Sequence, residues 1–282
     1  MKSKVKTEND KSARGTRTFV MALIVAGLMC SSVNALDLMG PPACVLQKGE
    51  YRNGLEIALC NQDLETSIGG WKRYVNGVLD DSGSVSLGAL DNFETYRGYV
   101  TVGYSPYRSW EIFGRLGGVT GTLGDEFWSE GEDFESHREL AVSGGVKKTF
   151  FEELALSIGG LVQANWMKFD GQLDAPLRPG FLDIDMLEIQ AALGATYMFS
   201  DRIAVYGGPF VNVIYGDIEY TYSVESASDL VNWQFDWDIE DDFNYGAYVG
   251  TRIMLKRNCS VNIEYQQTSD AYTIGAGLML RR

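Results

Sequence analysis

Residues 243–280 alternate. From Phe243 on, Tyr245, Ala247, Val249, Thr251, Ile253 and Leu255 are uncharged, and between them stand Asn244, Gly246, Tyr248, Gly250, Arg252, Met254 and Lys256. A period of two sends successive side chains to opposite faces of a strand. After a break at Lys256-Arg257-Asn258 the pattern returns as Val261, Ile263 and Tyr265 against Asn262, Glu264 and Gln266. After Thr268-Ser269-Asp270 it returns again as Tyr272, Ile274, Ala276, Leu278 and Leu280 against Thr273, Gly275, Gly277 and Met279. Three consecutive two-faced strands on short turns make an up-and-down antiparallel meander. The question they pose is whether the apolar face meets a protein core or lipid.

The rest of the chain repeats the theme. Alternating stretches fall at residues 49–64, 93–104, 109–121, 134–149, 153–169, 183–199 and 202–220, with the 243 strand beginning as early as Trp233. Residues 65–92 are polar and weakly patterned. Residues 202–220 are apolar on both faces, and Pro209 within them implies a bulge or an irregular ladder. The count is ten strands, with eight to twelve compatible. Long polar connections alternate with connections of a few residues, and an even count puts both chain termini on the short-turn side. The last strand must then close on the first near Leu55 and Leu59. The composition suits this fold: 32 Gly against 6 Pro, with 15 Tyr and 13 Phe.

The N-terminus reads as an export signal. Lys2, Lys4, Lys6, Lys11, Arg14 and Arg17 precede an apolar run from Phe19 to Met29, and Val33-Asn34-Ala35 has the small-x-small form of a signal-peptidase site. Eleven apolar residues are too few for a membrane-spanning helix, which needs about 20. We therefore expect residues 1–35 to be a signal peptide, 36–47 a periplasmic lead segment and 48–282 the barrel. Beyond residue 35 the chain holds 18 basic and 36 acidic residues. So acidic a chain is unsuited to binding nucleic acid through phosphates.

Strand length and the placement of charge favour lipid over core. The strands exceed the about 5–6 residues usual in soluble proteins and reach the about 9–11 that a tilted strand needs to cross a bilayer. The centres of the apolar faces carry no charge. Aromatic residues gather at strand ends: Tyr104, Tyr107, Trp110, Phe150, Phe151, Tyr197 and Phe199 on the short-turn side, and Trp166, Phe169, Tyr220, Tyr245 and Tyr272 on the other, as two interfacial girdles. In hairpin cadence and terminal strand the chain resembles the small bacterial outer-membrane β-barrel proteins, the superfamily that includes the membrane domain of outer-membrane protein A. The resemblance covers residues 48–280. The family's terminal aromatic residue is replaced here by Leu280-Arg281-Arg282. The resemblance implies outer-membrane lipid and the barrel-assembly machinery as partners, with no cofactor.

On this register the polar face carries Glu56, Arg97, Glu111, Arg115, Glu139, Glu188, Arg252 and Glu264. In a narrow barrel these groups pair and fill the interior, which makes the protein a closed barrel with a structural or surface-interaction role. The alternatives are a narrow porin-like channel with charged walls and a soluble secreted barrel holding an apolar ligand. Catalytic chemistry is sparse. His137 with Glu135 and Glu139 is the only His-carboxylate group; ten-stranded omptin-type surface proteases use such residues at their rim, but a single His beside carboxylates is more often structural, and no enzyme activity is expected. Asp236, Asp238, Glu240, Asp241 and Asp242, gathered at the outer rim with Asp125, Glu126, Glu130, Glu132 and Asp133, are a candidate calcium group, but they lack the glycine-turned loop of a calcium site, so a solvated acidic surface is expected, with no metal. Cys44 and Cys259 both fall on the short-turn side, and we expect a disulfide between them, with Cys60 free.

Overall fold

The computed structural model describes residues 37–123, 133–174, 178–226 and 229–282. The strands there are β1 (Tyr51–Glu65), β2 (Ile68–Val75), β3 (Val78–Ser86), β4 (Ala89–Tyr104), β5 (Trp110–Leu123), β6 (Asp133–Ser136), β7 (Glu139–Glu153), β8 (Leu156–Asp174), β9 (Gly180–Met198), β10 (Ile203–Ser226), β11 (Asp229–Lys256), β12 (Cys259–Gln267) and β13 (Ala271–Arg281). Ten of them close a ring. Every pairing is antiparallel, in the order β1, β4, β5, β7, β8, β9, β10, β11, β12, β13 and back to β1. The closing seam is where the sequence required it: Leu55 lies opposite Leu278, and Leu59 opposite Ile274. Closure leaves the ring no unpaired edge.

The three remaining strands extend the wall beyond the ring on the long-loop side. β2 and β3 form a hairpin in the weakly patterned stretch. Its turn is Asn76-Gly77, with φ of 50° and 81°, the pair that a two-residue turn matching strand twist demands. Lys72, Arg73, Asp80 and Asp81 on its two arms are why alternation did not announce it. β2 pairs along β11, from Val75–Val231 to Gly70–Asp236. The single strand expected over 134–149 is two: the ladder breaks at His137-Arg138, and β6 bridges β5 and β8 above the ring. β10 and β11 run 24 and 28 residues and stay paired out to Ser226 and Asp229, so the ladder continues well past the alternating stretch at 202–220. At Pro209, which has no N–H to give, the ladder to β9 skips Gly208 and Pro209, and a bulge toward β11 lies at Asn212/Ile214.

The outer wall is apolar through its middle. Leu55, Ile57, Leu59, Val100, Val102, Ile112, Leu116, Leu193, Ile263 and Ile274 all point outward and are exposed. A water-facing sheet would not carry so continuous an oily surface. The short-turn girdle is present: Tyr104, Tyr107, Trp110, Phe150, Phe151 and Phe199 are exposed, and Lys148 lies 4.2 Å over the Trp110 ring. The other girdle differs from expectation. Trp166, Tyr245 and Tyr272 face out, but Phe169 and Tyr220 are fully buried and point inward. Tyr215 stands on the outer wall, five residues nearer the short-turn end of β10 than Tyr220.

A charge on this band separates a lipid-facing wall from a wet one. Ile57→Arg, at a position 67% exposed in the middle of β1, should lower folding stability in bilayers by about 2–4 kcal/mol. Leu79→Arg, 54% exposed on the β3 hairpin, should change it by less than about 0.5 kcal/mol. Urea titrations of both variants in lipid vesicles test this, and equal small effects would mean the band is not in lipid.

Candidate functional site

The inward faces of the strands are graded along the barrel. β1 shows the order from the short-turn end: Arg52, Glu56, Cys60, Gln62, Leu64. Charge gives way to amides and then to hydrocarbon. The grading is not uniform around the ring: the lower lumen is charged on the β1, β4 and β5 side, while Leu161, Ala192, Tyr206, Phe210 and Tyr248 pack there with Met39 as an apolar cluster. Above lie a thin amide layer and an apolar upper half.

The charged floor is occupied by the chain's own lead segment. Asp37–Leu46 does not hang outside the barrel as expected; it enters the lumen. Asp37 is 1% exposed and Met39 fully buried. Asp37 sits between two arginines, 3.0 Å from Arg97 Nη1 and 3.7 Å from Arg115 Nη1. Arg97 also pairs with Glu188 at 2.9 Å, and Arg115 with Glu56 at 2.7 Å. Five groups from four strands and the lead segment thus form one buried ion network. Glu264 holds the backbone: the Met39 and Gly40 N–H groups donate to its Oε1 and Oε2 at 2.7 and 2.8 Å. Arg115 donates to the Leu38 carbonyl, and Lys147 to the carbonyls of Met39 and Pro41. Gln163 and Gln266 both donate to the Asp37 carbonyl, at 3.2 and 2.8 Å. Lower down, the Cys44 N–H donates to Thr149 Oγ1 at 2.9 Å.

Two wall glycines make room for this plug. A Cβ on Gly159 would stand 2.6 Å from the Pro42 carbonyl oxygen, and one on Gly275 would meet the Leu38 side chain at 2.7 Å. The space the plug fills is built into the wall.

Above it lies the amide layer. Gln163 donates to Gln190 Oε1 at 2.5 Å, Gln190 to Glu188 at 2.7 Å, and Tyr99 Oη to Asn165 at 3.2 Å. Above that, Leu64, Phe93, Leu123, Phe134, Met167, Phe169, Leu182, Ile184, Ile214, Ile218, Tyr220 and Trp237 pack as one buried cluster. Phe93 meets Phe169 edge to face at 5.0 Å. Between plug and wall the enclosed space is about 10 Å³, at most the room of a single water.

The eight wall residues expected to form the network divide. Glu56, Arg97, Arg115 and Glu188 form it around Asp37. Glu111 is buried but pairs with Arg52, at 2.6 Å. Glu264 binds backbone instead of a cation. Arg252 lies at the short-turn mouth with no carboxylate. Glu139 is not in the lumen network: it starts β7 just after the break at His137-Arg138, is only partly buried, and lies beside Asp170 on the outside. Sequence reasoning missed Asp37, Arg52 and Lys147. Their signal was present in Arg52 and Lys147, which keep the inward phase of their strands; Asp37 precedes any strand and had none. The expected disulfide is not formed. Cys44 and Cys259 line one cavity at the short-turn mouth, but both are free thiols, and Cys44 Sγ donates to the Leu46 carbonyl at 3.3 Å. Cys60 is free and buried, 3.1 Å from Thr273 Oγ1.

At the rim His137 is exposed, with Nδ1 3.7 Å from Asp170. Among the described residues no group of three or more His, Cys, Asp or Glu side chains is arranged to hold a metal ion; Asp125, Glu126, Glu130 and Glu132 lie outside the described residues. Asp185, Asp217 and Asp238 stand side by side on β9, β10 and β11, facing outward. Partial burial and the neighbouring Asp238 push the Asp217 carboxyl above its ordinary range.

Two outcomes test this description. Glu264→Ala removes the acceptor of two buried amides, so hydrogen exchange at Met39 and Gly40 should quicken by about 10- to 100-fold, the equivalent of 1.5–3 kcal/mol for bonds to a charged acceptor. Asp217→Asn should stabilise the protein by about 0.5 kcal/mol at neutral pH, because like charges opposite each other repel. A carboxyl with a raised pKa carries its penalty when ionised, so the gain should vanish in acid, where Asp217 is protonated in both states. Urea midpoints in neutral and acidic buffer read both signs.

No protein-family model matches the chain, and no curated protein matches it. Among solved structures it is similar to the outer membrane protein OprG from Pseudomonas aeruginosa, at 12% identity over 86% of this chain and 99% of that one, with a TM-score of 0.40. The toluene transporter TbuX from Ralstonia pickettii matches at 9% identity over 89% and 94%, TM-score 0.40, and the outer membrane protease OmpT from Escherichia coli at 10% over 82% and 94%, TM-score 0.39. These neighbours are bacterial outer-membrane β-barrel proteins with different roles. At such scores the functional reading rests on this chain's own wall and lumen.

Proposed function

We propose that the protein is an integral outer-membrane barrel that is sealed, and that its role is structural or lies in the surface its long strands present outside the membrane. One observation carries this reading: the lumen is closed twice, by the Asp37–Leu46 plug in its lower half and by the apolar cluster in its upper half. A diffusion channel needs a continuous polar path, and neither half leaves one. The projecting surface is ordered sheet. β10 and β11 carry β2 and β3 with them, and Trp71, Trp233 and Tyr222 stack along their inner side with ring centroids 5.3 and 6.1 Å apart. Lipid around the apolar band and the assembly machinery at insertion are the partners this reading implies, and it requires no catalytic group.

Planar-bilayer recordings test it. The purified chain should show no steady conductance. A variant lacking residues 37–46 should remain closed or flicker, because the upper cluster still seals. Steady open currents from the intact chain would replace the sealed barrel with the porin-like channel, and steady currents only from the truncated chain would make the plug the sole barrier.

A further inference from the structure

Below the plug, at the short-turn mouth, a cavity of about 240 Å³ opens. Arg52, Lys147, Arg252, Arg257 and Arg281 line it against a single carboxylate, Glu152. This is a basic enclosure in a chain of net charge −14. Three of its cations are already engaged: Arg52 with Glu111, Lys147 with the plug carbonyls, and Arg281 with Glu50 at 3.8 Å. Arg252 and Arg257 have no carboxylate within ion-pair distance among the described residues.

Arg252 is the more telling of the two. It points inward near the end of β11 and is largely covered by the wall. Its Nε is buried without a hydrogen-bond partner, and its Nη2 reaches only the thioether of Met198, at 3.8 Å. A guanidinium withdrawn from water and left without an anion is unfavourable. Its planar fork of donors matches an oxyanion. Low-dielectric walls lined by one sign of charge also concentrate counter-ions.

We propose that this mouth is a binding site for a compact polyanion carrying phosphate or carboxylate groups, with Arg252 as its principal contact and Arg257 as its second. The cavity falls just under the about 300–1,000 Å³ of drug-sized pockets, which suits a small metabolite-sized anion and excludes a lipid tail or a folded polymer. The site needs only that the short-turn end be open to solvent, so it stands or falls apart from whether the barrel conducts.

The probe is sodium pyrophosphate, titrated calorimetrically into the full chain in detergent at low ionic strength, with sodium chloride of equal ionic strength as control. Binding should saturate at one site. Arg252→Gln should weaken it by at least about tenfold, Arg252→Lys by only about two- to threefold, and Arg257→Gln by about threefold. Arg108→Gln, an exposed arginine on a short turn outside the cavity, should leave it unchanged. No saturable binding by the intact chain, undiminished binding by Arg252→Gln, or an equal loss in Arg108→Gln would overturn the proposal. Heat-modifiable migration confirms that each variant is folded. If Arg252→Gln does not fold, Arg257→Gln decides, and unchanged affinity there overturns the site.

Discussion

A buried arginine has to be answered by an anion, and in this barrel part of the answer for two of them comes from outside the wall. Arg97 and Arg115 are nearly inaccessible. The wall supplies one carboxylate to each, Glu188 and Glu56, and Asp37 bridges both. Breaking a buried pair by removing one member costs about 3–5 kcal/mol, a large part of the stability of an ordinary domain. The plug is therefore part of the barrel's own electrostatics. The barrel in turn satisfies the plug's backbone: Glu264 takes its amides, while Lys147, Arg115, Gln163 and Gln266 take its carbonyls. A segment with no secondary structure can sit in a lumen only under such an arrangement, because buried backbone groups must find partners.

The layers above follow from what the outer wall touches. Along β9 the outward residues Leu187, Ile189, Ala191 and Leu193 are apolar, while the inward ones at that level are Glu188 and Gln190. One step further out the pattern inverts: Leu182, Ile184 and Met186 point inward, and Asp183 and Asp185 point outward. On β10 the outward face changes in the same way, from Val211, Val213 and Tyr215 below to Asp217 and Glu219 above, with Ile218 and Tyr220 inward at the upper level. The alternation never stops, but the apolar set changes face. Where lipid lies outside, polar groups retreat to the lumen. Where water lies outside, hydrocarbon retreats there. The inversion marks the level at which the wall leaves the membrane.

This inversion also accounts for what was readable in the sequence and what was not. Ten strands, their up-and-down order and the seam of β1 with β13 follow from period-two alternation and connection length, and the structure has them. Residues 202–220 are apolar on both faces for two reasons: they cross the inversion, and below it Ala204, Tyr206 and Phe210 point inward, the two aromatics into the cluster around Met39. Phe169 and Tyr220 match a lipid girdle by sequence alone, because their aromaticity is right for an interface, but they lie above it, in the core. The hairpin of β2 and β3 sits wholly above the membrane, with polar residues on both faces, and only Asn76-Gly77 signalled it. The interior arginines and glutamates could be picked out by phase. Their partner Asp37 could not, because a residue before the first strand has no phase, and nothing local says that it turns back into the lumen.

The same inversion bears on how the projecting strands are held. A two-stranded ribbon alone in water is marginal, yet β10 and β11 continue well beyond the ring. Their inner faces carry the apolar cluster outward as Tyr220, Tyr222, Trp233, Phe235 and Trp237, with neighbouring rings 5.6–6.2 Å apart. Arg178 lies over Tyr222 and Arg73 over Trp233, at 5.7 and 5.5 Å, capping the stack with cations whose polar ends face water. Arg73 is itself anchored by Asp80 across the β2–β3 hairpin. The core that fills the upper lumen is thus continuous with the stack that stiffens the external sheet. Filling the upper lumen and stiffening the external sheet are two results of one apolar column, and a substitution that hollowed it at Trp237 or Phe235 would weaken both together.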